Sequence, residues 1–212
     1  VLTIIYSLAM GLGMAATAVV ARRIGEKNAE AASRAGMQTI GLATAISIII
    51  SLLGIVFAKD ILLLMGATET TAAQGVTFTQ IMMGTSIVIM LLFLINGIFR
   101  GAGNAAIAMQ SLFIANTLNF ILCPILNRGL GPIPAMGLTG AALATAIGRG
   151  TGVLFQIYHL AKGSGALKVK LAYLKPQLDQ IKAIVKVAAP AVLQFVIASC
   201  SWIFLAEVVA TT

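Results

Sequence analysis

Five residues in two neighbouring apolar stretches have the types and spacing needed to hold a ligand. Asn116, Asn119 and Cys123 lie in the first stretch, Thr145 and Arg149 in the second. At about 100° of rotation per helical residue, the first three fall within a stripe of about 60°. Thr145, Arg149, Gly152 and Gln156 stand at i, i+4, i+7 and i+11 and share a face of their own. Amides, a hydroxyl, a thiol and a guanidinium can hydrogen-bond and polarise a small molecule. Hydrolytic chemistry would need paired acids or a histidine–metal cluster, and these stretches hold neither, so the chemistry on offer is binding. Pro124 follows Cys123 directly. It has no N–H to donate, which leaves the Phe120 carbonyl without its intrahelical partner; freed carbonyls at membrane depth line cavities.

Composition decides what surrounds these residues. Of 212 residues, 59% are apolar and 9% charged, against about 25% charged in an average soluble domain, and mean hydropathy is +1.03. So few charges cannot cover a soluble surface of this size. They are also clustered, and the apolar runs between them approach the ~20 residues that cross a bilayer. An ordinary soluble enzyme, a disordered chain and a secreted disulfide scaffold are excluded. Cys123 and Cys200 both sit inside apolar runs, which indicates neither a disulfide nor a Cys-based zinc site. With His159 the sole histidine, an H-E-x-x-H metal motif is impossible. No metal and no cofactor is expected. Net charge is +8, but the basic residues fall between apolar runs as membrane-flanking charges do, so no nucleic-acid partner is expected.

The fold class is all-α, a polytopic helical membrane protein with six spans at about 1–20, 36–58, 76–98, 105–126, 138–161 and 188–210. Between them the sequence predicts a basic amphipathic connector (22–35), a polar loop (66–75), a tight turn at Arg100–Asn104, a Gly/Pro-rich turn (127–137) and a long basic linker (162–187). The first, third and fifth connectors carry eleven of the 14 basic residues; the second and fourth carry Lys59 and Arg128, and Arg149 is intramembrane. By the positive-inside bias the first residue faces outside and the 162–187 linker is cytoplasmic, in a multi-pass protein of the cell membrane. Within the linker, Leu178, Ile181, Ile184 and Val185 share one face, which predicts a short interfacial helix over 177–187. The chain opens at Val1 within one apolar run and closes at Thr212 as another finishes, and a cut from a longer protein is the expectation.

Depth links the two polar stripes. Asn119 lies seven residues before the outer end of the fourth span and Thr145 seven after the start of the fifth, about 10 Å below the outer boundary in each case at 1.5 Å per residue. Asn116 and Arg149 form a layer one turn deeper. Helices joined by a short turn pack together, so the stripes are expected to meet or to line one cavity. Thr17, Gln38, Gln80 and Asn96 occur singly in or near spans, and Thr44, Ser47 and Ser51 form a mild polar row; helix packing accounts for them. His159 reads as interfacial. Gly148 with Gly152, and Gly97 with Gly101, fit small-xxx-small helix contacts. No Asp or Glu stands mid-membrane, although a proton-coupled pump usually needs one.

Three sequence features carry a family resemblance. The first span places Thr17 four residues before Ala21-Arg22-Arg23-Ile24-Gly25. The third ends in Gly97-Ile98-Phe99-Arg100-Gly101-Ala102-Gly103-Asn104. Leu118-Asn119-Phe120-Ile121-Leu122-Cys123-Pro124 is the most specific, followed by Gly129-Leu130-Gly131-Pro132, Gly137 and Gly140-Ala141-Ala142-Leu143-Ala144-Thr145. In this order the chain resembles the multidrug and toxic compound extrusion (MATE) transporters, within the wider group that includes polysaccharide and lipid flippases. The resemblance implies a twelve-helix protein of two six-helix bundles. Residues 1–161 would supply five helices of the first bundle, 162–187 the cytoplasmic linker and 188–212 the first helix of the second. It also implies alternating-access antiport, in which a cationic or amphipathic organic compound leaves while protons or sodium enter, by a protein monomeric at full length. The family's Asn, Asp and Thr ligand positions match Asn119, Cys123 and Thr145, so Cys123 stands where the family has an acid. A flippase for an anionic lipid-linked sugar is the alternative, with Arg149 as its natural partner; a membrane-embedded enzyme and a passive channel are the rivals of other classes.

Overall fold

The structure, a computed structural model, describes residues 2–64, 68–129, 134–163, 173 and 177–210. Among the described residues it is built of α-helices, without strands: α1 (Leu2–Gly25), α2 (Ala29–Val56), α3 (Ala58–Leu64), α4 (Glu69–Gly84), α5 (Ser86–Gly101), α6 (Ala105–Arg128), α7 (Gly137–Lys162) and α8 (Leu178–Ala210). Six segments are long and apolar enough to cross a membrane: Ile5–Gly25, Ala29–Val56, Gly75–Gly101, Ala105–Arg128, Gly137–Lys162 and Leu178–Ser201. Each expected span has its helix.

Close contacts give the helix directions. Gly13 meets Gly97 and Thr17 meets Gly101, so α1 and α5 run parallel; Gly36 meets Ile98 while Gly54 meets Met83, so α2 runs against α4–α5. Gly140 meets Leu126 and Gly152 meets Ser111, which makes α6 and α7 antiparallel, and Ser7 with Ser199 and Gly11 with Val192 set α8 against α1. Alternate crossings of one slab require these directions. The core lies where α1 and α5 touch: Ile5, Leu12, Val20, Leu94, Ile95, Ile98 and Phe99 are buried there. A Cβ on Gly97 would overlap the Gly13 carbonyl, and Thr17 Oγ1 lies within hydrogen-bond reach of the Gly13 and Gly97 carbonyls, at 2.9 and 3.0 Å, so the contact is made backbone to backbone.

Four sequence expectations change. The connector over 22–35 is no separate element: α1 runs to Gly25 and α2 starts at Ala29. Local chemistry extends both helices. Lys27 turns the chain at φ 56°, Asn28 caps α2 through Ala31 N–H, and Arg22–Glu26, Arg23–Glu26 and Arg34–Glu30 ion pairs brace the ends. The polar loop over 66–75 is replaced from Glu69 by α4, capped by Thr68, with residues 65–67 outside the described set. The third span is broken at Thr85, whose hydroxyl donates back to the Ile81 carbonyl at 2.8 Å, and Ser51 Oγ lies 2.9 and 3.0 Å from the Met83 and Gly84 carbonyls. The short interfacial helix over 177–187 and the sixth span are one helix, α8, which passes Pro190 without a break. Ile184 and Ala188 are buried against the protein while Leu178 and Val185 of the same stretch stay exposed.

Two stretches of the linker, 164–172 and 174–176, lie outside the described residues. Its described points are fastened to α2. Gln38, buried, donates 2.6 Å to the Tyr173 carbonyl and accepts 3.2 Å from the Gln177 N–H. Tyr173 Oη donates to Glu30, and Arg34 lies 5.2 Å from the Tyr173 ring centroid. Helix packing alone had been expected to account for Gln38; it holds the linker instead.

Candidate binding site

Small residues let α6 and α7 approach. Gly148 has the Ala115 carbonyl and Asn119 Cβ within 2.7 and 3.1 Å of where a Cβ would stand, and Gly152 has Ser111 and Ala115 at 3.0 Å. The approach brings Asn119 to Thr145: Nδ2 donates 3.0 Å to Oγ1. Thr145 Oγ1 in turn donates 2.9 Å to the Ala141 carbonyl. The hydroxyl has one proton, and Ala141 takes it, so toward Asn119 it can only accept. That fixes the amide's orientation and leaves Asn119 Oδ1, an acceptor, without a hydrogen bond among the described residues. The half-buried pair thus presents a carbonyl oxygen.

The other site residues are placed differently. No hydrogen bond joins Arg149 to Asn116 among the described residues. Its guanidinium carbon lies 5.2 Å from the Tyr6 ring centroid on α1, and its buried Nη1 has no hydrogen-bond partner among the described residues. Tyr6 is itself set edge-on to Phe93 with centroids 6.1 Å apart. Asn116 is exposed, because the ridge of α6 that meets α7 runs through Ser111, Ala115 and Asn119 and turns Asn116 off it. Cys123 is a half-buried free thiol one turn from Asn119. Helix α6 continues past Pro124, which is exposed, to Arg128; residues 130–133 of the following turn lie outside the described set. His159 sits 4.5 Å from the Phe155 ring and 5.5 Å from that of Tyr158.

A second polar cluster was missed by the sequence reading. Gln156, fully buried, donates 2.9 Å to Ser111 Oγ and 3.3 Å to the Leu92 carbonyl, and Ser111 Oγ lies 3.1 Å from Asn96 Oδ1. Asn96 Nδ2 and Gln156 Oε1 remain unpartnered among the described residues. The cluster ties α5, α6 and α7 together beneath the Asn119–Thr145 pair. Ser111 stands four and eight residues before Ala115 and Asn119, on the ridge of α6 that meets α7. Among the described residues, no group of three or more His, Cys, Asp or Glu could hold a metal ion.

Six apolar crossings with polar groups turned inward between them define a multi-pass helical membrane protein. The sequence model of the MatE family matches residues 1–125, more than half of the chain. The chain belongs to that family of transporters. It is similar to the multidrug export protein MepA of Staphylococcus aureus (strain bovine RF122 / ET3-1), 27% identical over 197 residues, which are 91% of this chain and 43% of MepA. Among solved structures it is similar to the outward-facing conformation of a multidrug resistance MATE family transporter of the MOP superfamily, with TM-score 0.89 and 27% identity over 99% of this chain and 46% of the other. A MOP superfamily transporter from Pyrococcus furiosus Vc1 (DSM3638), described as having a binding pocket of reverse polarity that suggests a different function, matches with TM-score 0.88 and 27% identity over 98% of this chain and 45% of its own. The chain spans less than half the length of these relatives.

Proposed function

We propose that the chain forms part of a secondary active antiporter that exports cationic or amphipathic organic compounds by alternating access, in exchange for protons or sodium. Asn119 and Thr145 are its polar ligands in the outward half of the first bundle, with Cys123 one turn away and Asn116 and Arg149 at greater depth. Residues 1–161 belong to that bundle, 162–187 link it to a second one on the cytoplasmic side, and 188–212 begin the second. The first residue faces outside, the partners are a small organic cation and the bilayer, and the full-length protein works as a monomer without a cofactor. Membership of a transporter family supports the class, and MepA, whose name is that of a multidrug export protein, supports the substrate. The observation that carries the site is the hydrogen-bond direction at Asn119, whose carbonyl oxygen is the group left for a cation or an N–H donor. Cells carrying the full-length Asn119→Leu variant should become more sensitive to exported drugs at level expression; unchanged resistance contradicts the assignment.

One observation favours the second reading, a flippase or exporter for an anionic lipid or lipid-linked sugar. Arg149 Nη1 is buried without a hydrogen bond among the described residues, and by the resemblance Cys123 stands where the family has an acid. A relative whose pocket polarity is described as reversed supports the same alternative. Transport assays with one cationic and one anionic amphiphile of similar size separate the two readings.

A further inference from the structure

Helices α6 and α7 are tied together at one end and separate at the other. At the turn between them the Met136 N–H donates 3.0 Å to the Leu126 carbonyl, and a Cβ on Gly140 would overlap that carbonyl. At the far end α6 comes from α5 and α7 leads into the linker, so no short connection joins the two. Between the ends the seam is smooth. Gly140, Gly148 and Gly152 have α6 backbone or Ala115 against them, and buried Ala144 completes a repeat of four. Small residues at every turn let two backbones approach. They also present the same surface again after a slip of four residues, about 6 Å. Such a seam sets the distance between helices and leaves their relative height open.

The Asn96–Ser111–Gln156 cluster stands at that far end. Ser111 is six residues from the start of α6, Gln156 six from the end of α7 and Asn96 five from the end of α5, so the three share one level. All are buried. Gln156 Nε2 reaches Ser111 Oγ on α6 at 2.9 Å and the Leu92 carbonyl on α5 at 3.3 Å. The single Ser111 proton has two acceptors, Asn96 Oδ1 at 3.1 Å and the Ala108 carbonyl at 2.8 Å. Asn96 Nδ2 and Gln156 Oε1 are buried with no partner among the described residues, and each such atom costs stability. A buried polar cluster that stabilises so inefficiently is suited to fixing register. A slip of four residues would carry Gln156 to the level of Ile107 or Ala115, whose side chains cannot bond its amide.

We propose that Gln156, with Ser111 and Asn96, is a positioning residue. It fixes the height of α7 against α6, and through that the height at which Thr145 meets Asn119. The two hydrogen-bonded contacts bracket the glycine seam, eleven residues apart on α7 and eight on α6. The consequence for ligand binding rests on the role proposed above for Asn119 and Thr145; the height itself does not.

Side-chain amide NMR of the full-length protein with isotope-labelled asparagine tests this, the Asn119 resonance being identified by its loss in Asn119→Leu. It reads the contact with Thr145 without a ligand. Gln156→Met keeps the length of the side chain and removes the amide. The triple variant Asn96→Leu, Ser111→Ala, Gln156→Met removes every polar side chain of the cluster. In both, the melting temperature should stay level or rise, because no newly orphaned polar group is left behind. The Asn119 resonance, single in the wild type, should split or broaden, and binding of the lipophilic cation tetraphenylphosphonium should weaken about fivefold. A sharp resonance at the wild-type position in both variants would overturn the proposal. So would a lower melting temperature in both, which is what plain adhesion between helices predicts. If the resonance splits while tetraphenylphosphonium binds as in the wild type, the positioning role stands and the ligand role of Asn119 and Thr145 falls.

Discussion

Arg149 of α7 rests against Tyr6 of α1, its guanidinium carbon 5.2 Å from the ring centroid, with Nη1 buried and unbonded among the described residues. The ring face offsets part of the cost of the buried charge, by about 0.5–2 kcal/mol, and a positive field remains. A unit cation about 8 Å away loses about 2 kcal/mol to that field at an effective dielectric of 20. Arg149→Gln in the full-length protein should therefore tighten a lipophilic cation such as tetraphenylphosphonium about thirtyfold and weaken an anionic amphiphile. Equilibrium binding of the two ligands checks the sign of both changes.

Gly148 sets the spacing of α6 and α7 at the site. A Cβ there would stand 2.7 Å from the Ala115 carbonyl, which is backbone and cannot swing aside. Gly148→Val should cost about 1–3 kcal/mol by overpacking and part Asn119 from Thr145. A lowered melting temperature together with weakened ligand binding is the expected outcome, and thermal unfolding with and without ligand measures both.

Ser51 stands over the break in the third span, within hydrogen-bond reach of the Met83 and Gly84 carbonyls and of Ser86 Oγ. One proton serves one of these acceptors at a time. Ser51→Ala should destabilise the protein by about 1 kcal/mol and raise amide exchange selectively over residues 82–88. Hydrogen-exchange mass spectrometry of that segment decides it.

Glu26, beyond the end of the first span, has its carboxyl held below the ordinary carboxylate range by hydrogen bonds from Arg23 and, next, from Arg22. A lowered folded-state pKa means that the contribution to stability is present at neutral pH and is lost as pH falls through that lowered value. The turn between α1 and α2 should stay intact at pH 5 and loosen only well below the usual carboxylate midpoint. Carboxyl carbon NMR of Glu26 across that range is the check, and Glu26→Gln should remove the transition.

Much of this was legible in the sequence, and what was not shares a cause. The spans could be read because a bilayer demands length and apolarity, properties local to each run. The Asn119–Thr145 contact could be read because two antiparallel helices joined by a short turn must match in depth, and each residue lies seven positions from the turn. The break at Thr85 was hidden because the short Gly84-Thr85-Ser86 run lies inside one long apolar span; Ser51, 34 residues earlier, is what accommodates it. Asn116 shared a 60° stripe with Asn119, but the ridge that meets α7 is narrower than that and leaves it exposed. Asn96, Ser111 and Gln156 lie on three helices, so no spacing along the chain could join them. Arg149 shares a helix face with Thr145, but its contact with a ring of the first helix joins residues 143 positions apart, which no spacing reveals.

Equilibrium binding of radiolabelled tetraphenylphosphonium to the purified full-length protein tests the shared pocket most directly, in the wild type, Asn119→Leu, Thr145→Val and the double variant. The pair is joined by one hydrogen bond, so each single change should weaken binding several-fold and the double change should add little to either. Wild-type affinity in both single variants, with melting unchanged, would contradict the account.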